Sequence, residues 1–474
     1  MRFTILITIV FLLTGLCGKT QNLPEGSAKR PNTESDIMDL PGEGVVMGTS
    51  DSSGNNIYNI NKLLSMTLMP AKIRTLDLEA YRCDQLDYAL SEGITRTPSG
   101  ALWTLWIAGG DNDKAIVVIV CSKDDGKTWS DPRVVVDPHV SNTPLGIRSL
   151  VANIWTDPKG QLWVFYDQGI GYYDGRAGVW ATVCKNPDDD VLIWSEPKRI
   201  WHGAALQKPI VTSNGEWLLP VSLWPRKMAN LKFRHRFSEL DSLRGANLLV
   251  SVDEGKSWHR RGNAVQIPEA IRTVDEHMLI ERNDGSLWMT IRTLEGMWES
   301  LSTDGGHTWS VPRKAAIHHA NAKHFITRLN SGRLLLVKHG QEIHPPQGEV
   351  YKALPRRMLS AFLSDDDGKT WSNGLLLMEG SGSYPDGVQA EDGTIYVCYD
   401  YDRWFSAEIW MRRFTEEDIL AGKFISPHSE VPVLISKATG LSEEERKIRL
   451  KHRIEKAERQ KKQGMLPDHP VIKP

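Results

Sequence analysis

Ser364-Asp365-Asp366-Asp367-Gly368-Lys369-Thr370-Trp371 is one of four copies of a single pattern in this 474-residue chain. The others are Ser122–Trp129 (SKDDGKTW), Ser251–Trp258 (SVDEGKSW) and Ser302–Trp309 (STDGGHTW). A fixed Ser, Asp, Gly and Trp at constant spacing marks a repeat architecture. Each copy reads as a tight turn between strands. Asp and Ser accept hydrogen bonds from loop N–H groups, Gly supplies a positive φ, and Trp offers a large apolar face to a neighbouring unit. Every conserved type in the pattern has a turn or packing role, so these stretches build the fold and stay off any ligand.

A second repeat is spelled more loosely. It is a Gly turn between two strand-like runs: TPSGALWTLW at Gly100, TDPKGQLWVFY at Gly160, SNGEWLLPVSLW at Gly215, RNDGSLWMTIR at Gly285, LNSGRLLLVKHG at Gly332 and AEDGTIYVCYD at Gly393. The two repeats interleave, which gives four strands per unit. Six such units predict an all-β six-bladed β-propeller with four-stranded antiparallel blades over 81–436. Lys185–Trp194 (KNPDDDVLIW) is a degenerate turn of the first kind, and the sixth unit lacks one. The lead-in, 20–80, is expected to lend a strand that closes the sixth blade. Residues 437–474 form a tail whose Leu441–Gln463 is dense in charge, and Ser442 with Glu445 spells a capping box for a short helix.

The formal net charge of −2 points to neither nucleic acid nor a membrane surface. The five Cys show no metal or disulfide spacing, and nothing signals a cofactor or a metal site. Met1-Arg2 followed by the apolar run Ile5–Leu16 reads as a signal peptide, 1–19, cleaved to give an exported protein, periplasmic or secreted. Leu16 before Cys17 argues against lipid anchoring, and the run is too short to span a bilayer.

In such a blade the first strand begins, and the second ends, opposite the Gly hairpin. Those positions should converge on the axis. The strand starts hold Glu92, Arg148, Lys208, Glu276, His277, Lys323, Tyr384 and Asp386; the strand ends hold Asp167, Arg292 and Asp400-Tyr401-Asp402-Arg403. A funnel mixing Arg, Lys and carboxylates suits an anionic ligand, with Arg as the carboxylate clamp.

The Ser-x-Asp-x-Gly-x-[Ser/Thr]-Trp turns resemble the Asp boxes of the sialidase (neuraminidase) superfamily, a six-bladed propeller, over roughly 86–415. The resemblance implies a Tyr nucleophile activated by a Glu, a carboxylic acid on a loop, and an Arg clamp. Tyr384 resembles the nucleophile and Glu276 its base. Asp111 or Asp113 resembles the acid, with Asp113 assigned the role. Arg292 resembles the second clamp Arg, and Arg357, or its neighbour Arg356, the third. The family's first-blade Arg has no counterpart, since Glu92 stands near its place. Glu92 would accept sugar hydroxyls, and Arg148, Lys208 or Lys323 would supply the missing charge. The implied partner is a glycan with a terminal acidic sugar.

Two other functions fit the same scaffold. One is a lyase or glycosidase on uronate-containing glycans, with His277, His324 or His339 as acid or base. The other is a non-catalytic glycan binder that stacks sugars on Tyr166, Tyr172, Tyr173, Trp298 or Trp404.

Overall fold

Asp-box turns need a specific hydrogen-bond set, and all four copies make the same one. In the copy at Ser364, the Gly368 N–H donates to Ser364 Oγ at 2.8 Å and the Thr370 N–H to Asp366 Oδ1 at 2.8 Å. Thr370 Oγ1 donates to Asp366 Oδ2 at 2.6 Å. These bonds stabilise the carboxylate form, and the acids of Asp124, Asp253 and Asp366 are held down at about 2. The computed structural model describes residues 60–139, 146–345 and 353–462 without 428 and 430, with the backbone alone at 453 and 456–462.

Among the described residues these turns punctuate six sheets of four antiparallel strands, with a fifth strand on the first sheet. The innermost strands are Leu90–Arg96, Ala152–Thr156, Ile210–Val211, His277–Glu281, Phe325–Arg328 and Gly382–Gln389. Each Gly turn holds its glycine at positive φ, between +80° and +94°. Strand order within each blade follows the chain from the axis outward. This is the six-bladed propeller expected from the repeats. The expected helix is also present in the tail, at Glu443–Lys462.

The box glycines do more than turn. A Cβ on Gly368 would lie 2.6 Å from Trp288, one on Gly306 2.5 Å from Leu248, one on Gly255 2.5 Å from Trp163, and one on Gly126 2.3 Å from Met411. In every case the contact belongs to the preceding blade of the ring. Each turn is therefore seated on its neighbour, and only Gly allows that approach.

Ring closure differs from expectation. The sixth blade draws all four strands from one continuous segment: Gly382–Gln389, Ile395–Tyr401, Glu408–Phe414 and Val433–Lys437. The lead-in strand Lys72–Arg74 instead pairs with Val134–Asp137 on the outer edge of the first blade. The first and sixth blades meet through side chains. Ile94 N–H donates to Asp386 Oδ2 at 2.9 Å, Arg413 Nη1 donates to Asp125 Oδ2 at 2.8 Å, and the Tyr396 hydroxyl bonds Asp125. The sixth blade is complete in itself and needs no visiting strand. Its outer connection carries the helix Glu416–Ala421, capped by Thr415 and Asp418, where other blades carry an Asp box.

The core lies in layers between blades. One layer joins Phe325, Val337 and Leu359 to Tyr399 and Ile419; another joins Trp163 and Phe165 to Trp217 and Leu219. Strands buried on both faces read as near-continuous apolar runs such as Ile116–Cys121 within Ile116–Ser122.

Candidate active site

Glu276 and Arg292 lie on either side of the Gly285 hairpin, which returns them to the same end of the fourth blade. Arg292 Nη1 donates to Glu276 Oε2 at 2.9 Å. Tyr384 arrives from the start of the sixth blade, where a bulge between Ser383 and Asp386 displaces it from the ladder. Its hydroxyl donates to Glu276 Oε1 at 2.7 Å and accepts from Arg292 Nη1 at 3.0 Å. Three side chains from two blades thus share one hydrogen-bonded cluster, all buried. Burial and the Glu276 carboxylate together hold the Tyr384 hydroxyl well above its ordinary range.

Two more guanidinium groups flank this cluster. Arg356 donates through Nε and Nη2 to the Asn321 carbonyl, at 3.1 and 2.7 Å. Asn321 Oδ1 in turn accepts from Arg292 Nε at 2.6 Å, so one residue positions both arginines. Arg403 stands 4.5 Å over the Tyr384 ring and donates from Nη2 to Asp400 Oδ2 at 3.2 Å. Burial, partly offset by Arg403 and Arg356, raises the Asp400 carboxyl to about 6.

Backbone strain is present at the same place, as it is in the Asp-box turns at Asp125, Glu254 and Asp367. Tyr384 (φ 51°), Asp275 beside Glu276 (φ 50°), Asp402 beside Arg403 (φ 42°) and Met358 near Arg356 (φ 56°) all occupy the left-handed region. Non-Gly residues there cost about 1–3 kcal/mol each and persist where the surroundings over-determine them.

Under the cluster lies Glu92, fully buried on the first blade. Lys323 Nζ donates to the Glu92 carbonyl at 2.9 Å and sits 3.8 Å from its Oε2. Neither carboxyl oxygen has a hydrogen-bond partner among the described residues. Burial, opposed by Lys323 and reinforced by Glu276, pushes this acid well above the usual carboxylate range.

Of the residues singled out from sequence, Tyr384, Glu276, Arg292, Asp400, Glu92 and Lys323 converge. Others are committed elsewhere. Arg148 and Asp167 are fully buried and pair with each other, Arg148 also bonding the Gly171 carbonyl at 2.8 Å. They lock the second blade and present no free charge. Lys208 is held by Asp386 at 2.8 Å and by the carbonyls of Ile94 and Gly387 at 2.7 and 2.8 Å. His277 is buried between the carbonyls of Asp275 and Asn247. His324 bonds Thr290 at 2.7 Å, and His339 bonds the Gly382 carbonyl at 3.0 Å. Tyr166, Tyr172 and Tyr173 are buried, not presented as a platform.

In two adjacent choices the structure favours the neighbour. Arg357 is exposed, whereas Arg356 is buried against Asn321. His139 Nε2 bonds the Asp113 backbone carbonyl at 3.1 Å. Asp111 acts electrostatically on Tyr88 and Arg403. Asn321 and Tyr88 were not legible: Asn321 lies in a loop without repeat signal, and Tyr88 precedes the first strand.

A propeller with Asp-box turns and a Tyr–Glu–Arg cluster at one end of its axis defines a sialidase-type architecture. The model of the BNR repeat-like domain matches residues 100–397, well over half of the chain, and the chain belongs to that family. Among solved structures, it resembles a Dyadobacter fermentans protein of unknown function (17% identity, 70% of this chain and 95% of that one, TM-score 0.50). It also resembles a Hadza microbial sialidase (18%, 70% and 66%, TM-score 0.51). The Ruminococcus gnavus intramolecular trans-sialidase, solved with oseltamivir carboxylate, matches at 13% identity over 73% and 98% of the two chains (TM-score 0.51). At such identities the likeness carries the fold alone.

Proposed function

We propose that this protein is an exported, exo-acting glycoside hydrolase of sialidase type, which removes a terminal acidic sugar from glycans. The observation that carries the reading is the Tyr384–Glu276–Arg292 cluster, with Tyr384 Oη 2.7 Å from Glu276 Oε1. A neutral phenol is a poor nucleophile, and this one resists ionisation. Its proton must pass to Glu276 as the oxygen attacks the anomeric carbon. Arg292 donates to both oxygens and so stabilises the developing phenolate and orients the base.

Attack forms the bond from Tyr384 Oη to the anomeric carbon as the glycosidic bond breaks. Asp111 protonates the leaving oxygen. Water then releases the sugar, with Asp111 accepting a proton from it and Glu276 returning one to Tyr384. Arg292, Arg356 and Arg403 surround Tyr384 and supply the clamp for the sugar carboxylate. Arg403, from the sixth blade, takes the part that the family gives to a first-blade Arg. The export reading rests on the apolar run Ile5–Leu16, outside the described residues. Fractionation of cells producing the full chain tests it.

The test of the chemistry is turnover of fluorogenic sialosides and uronate oligosaccharides by the wild type and Tyr384→Phe. The variant should lose about 10³-fold in kcat while folding normally. A fluorinated sialosyl donor should add mass to the peptide containing Tyr384. Wild-type rates in Tyr384→Phe would sink the mechanism. An ultraviolet-absorbing unsaturated product from uronate oligosaccharides would replace it with lyase chemistry.

A further inference from the structure

The charged tail departs from the last strand along the rim of the candidate site. Ala438 N–H donates to the Ala407 carbonyl at 2.9 Å, Thr439 N–H to Cys83 O at 2.8 Å, and Gly440 N–H to Leu86 O at 2.7 Å. A side chain at Gly440 would meet the backbone of Gln85 and Leu86 at 2.6–2.8 Å, so the strand of tail lies flush on the lead-in. Ser442 then caps the helix Glu443–Lys462 through Glu445.

One turn on, Arg446 Nη1 donates to the Phe405 carbonyl at 3.2 Å. Arg449 Nη1 donates to the Asp87 carbonyl at 3.0 Å, and its Nη2 pairs with the Asp87 carboxylate. The Arg449 guanidinium also stands 5.9 Å from the Trp404 ring centroid. Asp87 adjoins Tyr88, and Trp404 adjoins Arg403. Tyr88 and Trp404 meet edge to face at 4.6 Å, and Ala89 N–H donates to the Arg403 carbonyl at 3.3 Å. Tyr88 is fully buried, and its hydroxyl has no partner among the described residues. Arg403 stacks on Tyr384.

We infer that Arg449 is a positioning residue of the candidate site: it ties Asp87 to Trp404 and so sets the Tyr88–Arg403 wall against Tyr384. The grip is polar. Ile448 is about half exposed and Leu450 and Ile454 are only partly buried, so apolar contact does not replace these bonds. An Arg that spans a carboxylate, a carbonyl and an aromatic face is replaced only in part by Lys, which keeps the charge but lacks the planar fork. The role in substrate binding rests on the proposed function; the structural tie does not.

The experiment compares the full-length wild type, Arg449→Ala and Arg449→Lys. Hydrogen exchange without substrate should quicken in Arg449→Ala over 83–89 and 402–407, and stay unchanged over the turn 302–309. With an acidic-sugar substrate, KM should rise about tenfold, a shift of one interaction's size, with kcat within about twofold. Lys should restore part of the KM. Unchanged exchange in both segments overturns the tie. Faster exchange with an unchanged KM overturns the positioning role. If the wild type turns over no acidic sugar, the proposed function fails while exchange still decides whether Arg449 holds the wall.

Discussion

In the turn Ser302–Trp309, each polar side chain of the motif finds its partners close by in sequence: Gly306 N–H on Ser302 Oγ, and Thr308 N–H and hydroxyl on Asp304. At the opposite end of the blades, Tyr384 reaches Glu276 across 108 residues, and Lys323 reaches Glu92 across 231. The turn closes its hydrogen bonds within eight residues, although its glycine is seated on the preceding blade. The axis cluster exists only once the ring has closed. Its carboxyls and phenol with raised pKa values are groups that no short segment could satisfy. The turn pairs its polar atoms within one segment, and the axis cluster pairs its own across blades.

Exchanging the charge at the axis should give the larger effect. Arg403→Lys keeps a cation but loses the planar fork over Tyr384. KM for an acidic sugar should rise about 10- to 100-fold, the size of a hydrogen bond to a charged group. Urea unfolding should move little. A large loss of stability with an unchanged KM would place Arg403 with the scaffold instead.

Gly368→Ala tests the other end. At φ +84° a Cβ would sit 2.6 Å from the buried Trp288 ring of the preceding blade. The expected loss is about 1–3 kcal/mol in urea unfolding, with the KM of the folded protein for an acidic sugar, under the proposed function, unchanged. An equal effect on KM would erase the division between the two ends.

The smallest effect is the most diagnostic. The folded chain holds the Glu92 proton well above the ordinary carboxylate range. The unfolded chain releases it near pH ~4.3. The folded state then binds more protons, so this group lowers stability as pH climbs from that value toward its folded pKa. Glu92→Gln cannot ionise. Its stability relative to wild type should improve between pH 5 and pH 8, measured by urea melts at each. A relative loss at pH 8 would mean that the charged Lys323 pair, 3.8 Å apart, outweighs burial.

Much of this was legible in the chain because it is local. The Asp boxes and Gly turns announce four strands per unit and six units. Glu276 and Arg292 share one hairpin, so their common face followed from strand alternation. Tyr384 followed from its place before the last hairpin. The pairs that the chain left open have one cause. Arg356 and Arg357, like Asp111 and Asp113, lie in irregular loops where no alternation decides which neighbour points inward. Arg403 was visible as a strand-end residue, but its stacking on Tyr384 depends on the turn at Asp402. Ring closure was misassigned because a complete sixth blade depends on Val433–Lys437, which follows a short helix and carries no motif.

Sequence alone determined the propeller, its blade count and the end of the axis that gathers charge, because turns and alternation are properties of neighbouring residues. Tertiary structure alone decided which charges stay available. Arg148, Lys208 and His277 sat at the right strand ends, yet carbonyls and carboxylates brought by other segments consumed them. Glu92 and Tyr384 are made weaker acids by burial beneath a closed ring. Burial and cross-blade partners are set by the whole fold, and no residue's own neighbours in the chain record them.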